Sequence, residues 1–119
     1  MFELLQNEFL PDWFEYPAEL LELLTNDEVD FGPWQLLQGK WLNIRHEGLK
    51  QRYPNLHLIP FARRLDSDDV ACFDVSQKSS SPRIKIIHDF ASVGWEEREE
   101  LDDFKVWLVE AKEEAADWD

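Results

Sequence analysis

Val70-Ala71-Cys72-Phe73-Asp74-Val75 and Arg83-Ile84-Lys85-Ile86-Ile87-His88-Asp89-Phe90 decide the fold. Both are short runs rich in strand-favouring residues, and the polar stretch Ser76-Gln77-Lys78-Ser79-Ser80-Ser81-Pro82 separates them. In the second run Ile84, Ile86, His88 and Phe90 share one face, with Lys85, Ile87 and Asp89 on the other. The pair predicts two antiparallel strands joined by a long hairpin loop. Upstream, Leu56, Leu58 and Pro60 interleave with His57, Ile59 and Phe61, which predicts another strand. Pro60 places it at an edge or at the end of a ladder, since proline has no N–H to donate.

Helical patterns flank these strands. Phe2, Leu5 and Phe9 suggest a short first helix halted by Pro11. A second helix starts at Pro17 and runs through Leu24, and Thr25-Asn26-Asp27 closes it with residues that favour turns. Trp34-Gln35-Leu36-Leu37 and Lys40-Trp41-Leu42 read as extended pieces around Gly39, and Asn43 to Arg52 as a helical turn or small helix. At the far end Leu101, Phe104, Leu108, Ala111, Ala115 and Trp118 form a helical apolar seam, widened by Trp107. Glu96-Glu97-Arg98-Glu99-Glu100 reads as the solvated, acidic start of that helix. The fold class is α+β, with N-terminal helices and a long C-terminal helix packed on an antiparallel sheet. The 119 residues suit one domain spanning 1–119.

The formal charge is −14, from 26 acids and 12 bases, and it is unevenly distributed. Residues 1–39 carry −9, residues 40–88 carry +4 and residues 89–119 carry −9. So negative a chain repels phosphate backbones and anionic lipid, which excludes nucleic acid and membrane as expected partners and favours a basic protein. Apolar residues at 44% and aromatics at 13% argue for an ordered core despite the charge. Cys72, the only cysteine, can form no internal disulfide. With no apolar run of membrane-spanning length and no basic leader, a cytoplasmic location is expected.

The candidate chemistry is sparse. Asp66-Ser67-Asp68-Asp69 offers oxygen ligands for a hard cation, but it lacks the glycine and distal glutamate of a calcium loop and reads better as a polar turn. His46, His57 and His88 have no metal-ligand spacing. His88 reads as a hydrogen-bonded, partly buried histidine rather than a base. Cys72 reads as a small core residue. No nucleophile elbow and no phosphate-cradling glycine loop occurs, so neither an enzyme, a cofactor nor a metal is expected. Of the six tryptophans, Trp107 belongs to the core seam, whereas Trp13 and Trp95 fall in loops where core and interface are equally open.

The order of these blocks resembles the SUKH superfamily. Pro17-Ala18-Glu19-Leu20-Leu21-Glu22-Leu23-Leu24 followed by Asn26 is similar to its opening proline-led helix. Leu58-Ile59-Pro60-Phe61-Ala62 and Asp68-Asp69-Val70-Ala71-Cys72-Phe73-Asp74 resemble its central strand, acidic turn and strand. Ile84 to Asp89 and Leu101 to Leu108 are similar to its last strand and final helix. The chain has Asn26-Asp27 where that family commonly has Asn-Gly, and its acidic turn lacks a frequent glycine. The resemblance implies a non-enzymatic binding domain. Many bacterial members are immunity proteins that neutralise a cognate toxin, often a nuclease; fungal relatives regulate cell-wall assembly. A regulatory or scaffold module of the same fold is the alternative. The expected contact residues are Asp27, Glu28 and Asp30 after the second helix and Asp66, Asp68 and Asp69 in the turn, with Trp34 and Trp95 as aromatic anchors. Complementary charge would speed encounter with a basic toxin domain.

Overall fold

A computed structural model describes residues 2–118. The two deciding runs form β4 (Asp69–Asp74) and β5 (Ile84–His88), paired antiparallel with Val70 opposite Ile87 and Phe73 opposite Ile84. They belong to a six-stranded antiparallel sheet in which every strand neighbours the next in sequence. The others are β1 (Asp30–Phe31), β2 (Trp34–Leu36), β3 (Leu58–Arg64) and β6 (Glu97–Leu101). Helices α1 (Ala18–Thr25), α2 (Gly39–Arg52) and α3 (Phe104–Ala116) complete the fold, after a single 3₁₀ turn at Asn7–Phe9 where the sequence predicts a helix.

The core is aromatic. Phe61 lies 4.6 Å from Phe73 and 4.8 Å from Trp107, ring centre to ring centre, and Phe104 joins the same stack from α3. Phe61 fits there because β3 bulges between Pro60 and Ala62, which places Phe61 and Ala62 side by side on the face that packs against α3. Pro60 lies where β3 has no β2 partner, since β2 pairs only with Ala62 to Arg64, so its missing N–H interrupts no ladder on that side. Side chains alternate along β4, so Cys72 and Val70 face away from α3. Helix α2 packs on that second side against β3 and buries Leu42, His46 and Leu49. Gly32, at φ +61° in the β1–β2 turn, lets α3 come close: a Cβ there would sit 2.7 Å from the Ala115 backbone.

Three further expectations are corrected. Glu97 to Leu101 form the edge strand β6 and not a helix start; Leu101 ends that strand, and α3 begins after Asp103, whose carboxylate accepts from the Val106 N–H at 3.0 Å. The acids are tolerated because β5 and the residue before it answer them across the ladder, with Lys85 2.8 Å from Glu97 and Arg83 bonded to Glu100. Lys40-Trp41-Leu42 is helical, because α2 starts at Gly39. Trp34 is buried (4% exposed) against Trp107 and not presented to a partner.

Helix α1 ends as the turn residues predict. Asp27 adopts φ +57°, its N–H reaching Leu24 O and the Glu28 N–H reaching Leu23 O. That is a Schellman-type cap, with aspartate at the left-handed position where glycine is usual.

Candidate functional site

Antiparallel pairing between successive strands puts alternate connections at opposite ends of the sheet. One end gathers the β1–β2 turn, the β3–β4 turn over Leu65 to Asp68, and the β5–β6 loop from Asp89 to Glu96. They are bonded together: the Leu65 N–H donates to Pro33 O at 2.7 Å and the Asp89 N–H to Asp68 O at 3.0 Å. This end carries Leu65, Phe90, Val93 and Trp95, all large apolar side chains standing in solvent. Trp95 is the most exposed of them, at 79%.

A loop this exposed and apolar stays ordered only if its backbone is fixed from beneath. Asp89 supplies the anchor. Its side chain is fully buried and accepts four hydrogen bonds: from Arg45 Nη1 at 2.7 Å, Arg52 Nε at 2.6 Å, Arg52 Nη2 at 2.7 Å and the Phe90 N–H at 2.9 Å. Burial pushes its carboxyl up, but the two guanidiniums outweigh that and hold it below its ordinary value. Such bidentate, charge-assisted pairing is the form in which a buried carboxylate is stable.

Further contacts fix the rest of the loop. Tyr53, just past α2, donates through its hydroxyl to Ala91 O at 2.6 Å. The buried Glu96 carboxylate accepts from the Gly94 N–H at 3.0 Å, and the His88 N–H donates to Glu96 O at 2.7 Å. Gly94, at φ +100°, gives the chain its reversal. Phe90 is held at φ +70°, unusual for a bulky residue, and the Arg52 guanidinium covers its ring at 4.1 Å. The loop is therefore preorganised, with its apolar tips pointing outward.

No family profile, no curated protein and no solved structure matches this chain.

Of the residues expected to bind a partner, Asp66, Asp68 and Trp95 stand exposed at this end. Asp66 is bonded to Arg64 at 2.8 Å, which holds its carboxyl below the ordinary range, while the Asp68 side chain has no hydrogen-bond partner among the described residues. Asp69 turns inward to His88 Nδ1 at 2.8 Å, so it braces the turn, and His88 is the hydrogen-bonded, partly buried histidine its strand position implies. Asp27, Glu28 and Asp30 lie at the opposite end of the sheet, exposed, with Asp30 accepting from Gln35 Nε2 at 3.2 Å. Cys72 is a core residue whose thiol burial pushes well above its ordinary pKa.

The sequence reading missed Arg45, Arg52 and Tyr53. Their seven- and eight-residue spacing puts them on one helical face, but that signal is visible only once α2 is known to be one helix. Among the described residues no group of three or more His, Cys, Asp or Glu side chains converges as a metal site would. No described helix is long and apolar enough to cross a membrane.

Proposed function

We propose that the chain is a cytoplasmic, non-enzymatic binding domain of the immunity type, which occludes a basic partner such as a toxin domain. The observation that carries this reading is the exposure of Trp95 and Val93 on a loop immobilised by the buried Asp89 cluster. Tryptophan dominates interface hot spots, and a rigid loop loses little entropy when it binds. Asp66 and Asp68 rim the same end and supply charge for steering a basic partner. The resemblance of the motif order to that of the SUKH superfamily supports the same role. Inhibition then needs only steric and electrostatic occlusion.

Co-expression with the product of the adjacent gene, followed by pull-down at low and high salt, tests it. A complex that forms with wild type, is lost with Trp95→Ala and weakens with salt is expected. A complex unchanged by both Trp95→Ala and an Asp66→Lys/Asp68→Lys double variant places the contact elsewhere and overturns this assignment of the face.

A further inference from the structure

On the sheet side covered by α2, the molecule has a groove of about 680 Å³ whose character is opposite to that of the chain as a whole. Trp41, Ile44 and Phe90 wall it and are 67%, 51% and 62% exposed. Arg45, Arg52 and Arg63 converge on it. Three guanidiniums against the carboxylates of Asp89 and Glu47 leave it net positive in a chain of charge −14.

The arginines are held in place but not used up. Arg45 and Arg52 each spend part of their donor set on Asp89, and Arg63 spends Nε and Nη2 on Gln35 Oε1 at 3.3 and 3.1 Å. Their remaining N–H groups have no hydrogen-bond partner among the described residues. Gly48 leaves room for Arg52 to lie across α2: a Cβ there would strike the Arg52 guanidinium. An apolar recess of a few hundred cubic ångströms with a few fixed polar groups is the usual form of a small-molecule site.

We propose that this groove binds a small organic anion built on a flat apolar body, such as an aromatic carboxylate. The flat body lies between Trp41 and Phe90, and the anionic group takes the free N–H groups of the arginines, which suit planar carboxylates bidentately. The site shares Phe90 with the proposed partner face, and Arg45 and Arg52 with the Asp89 anchor beneath that face, but the proposal does not depend on that reading.

The test uses naphthoate and its neutral isostere naphthamide, titrated into the intact protein while the indole N–H resonance of Trp41 is followed by NMR. Naphthoate is expected to shift that resonance saturably and to bind at least about tenfold tighter than naphthamide, the gain expected of one charge-assisted hydrogen bond. Arg63→Gln, whose native side chain hydrogen-bonds only to Gln35 among the described residues and takes no part in the Asp89 cluster, should abolish that preference with an unchanged melting temperature. Trp41→Ala should weaken both probes, and Trp95→Ala should weaken neither, which separates this site from the partner face. Equal affinity for the two probes, an unmoved Trp41 resonance, or undiminished naphthoate binding by Arg63→Gln would overturn the proposal. So would an acidic aromatic peptide that outcompetes naphthoate, since the groove would then be a peptide site.

Discussion

The two ends of the sheet both carry exposed acids, yet they are built differently. At one end the loop from Asp89 to Glu96 is tied to α2, to Tyr53 and to the β3–β4 turn, and it exposes Phe90, Val93 and Trp95. At the other, Ser76 to Pro82 is held by short-range bonds, the Ser76 N–H to Asp74 and the Ser81 N–H to Ser79, and Asp27, Glu28 and Asp30 lie at the same end of the sheet. Neither of those two segments exposes a large apolar side chain. Acidity is common to both ends and so does not distinguish a site. A buried carboxylate that allows aromatic side chains to face water does.

The largest effect should come from removing the anchor. Asp89→Ala leaves two partly buried guanidiniums without their counter-charge and should cost about 3–5 kcal/mol, read as a fall in the urea midpoint. At the opposite end Ser79→Ala should stay within about 0.5 kcal/mol. The same carboxylate sets an acid limb. Its folded pKa lies below the ordinary 3.8, so its contribution is present above that value and is lost as pH falls through the lower folded one. Stability should therefore drop below about pH 4, and Asp89→Asn should flatten that limb. The decline that begins near pH 6.5, from the buried His46 whose pKa burial lowers, should remain in the same variant.

Next in size, Trp95→Ala should weaken partner binding by about 2 kcal/mol or more while stability changes by no more than about 0.5 kcal/mol. Asp30→Lys, in the same binding measurement, should have little effect. Tyr53→Phe removes the hydroxyl that holds Ala91 and should cost about 1 kcal/mol in the urea midpoint. The smallest change is a gain. Asp27→Gly relieves the left-handed backbone at the α1 cap and should stabilise by roughly 1 kcal/mol, again read from the urea midpoint, with no loss of binding.

The antiparallel sheet and the C-terminal helix were legible because β4, β5 and α3 combine the right period with strong burial. β6 was not, since Glu-Arg-Glu-Glu-Leu favours a helix locally and only pairing with Lys85 and Arg83 makes it a strand. The start of α2 at Gly39 was hidden by a segment that is apolar on both faces, with Trp41 and Ile44 in solvent and Leu42 in the core. Trp95 and the acidic turn were visible as candidates. Asp89 was not, because Arg45 and Arg52 reach it from 44 and 37 residues away, a meeting that only the packing of α2 on the sheet produces.

The most direct test of the account is backbone ¹⁵N relaxation across residues 89–96 of the free protein, repeated on Asp89→Asn. Order parameters near 0.85 in wild type, as in regular secondary structure, and a marked fall in the variant are predicted. Values below about 0.6 in wild type would contradict it, because the exposed aromatic loop would then not be held by the buried carboxylate beneath it.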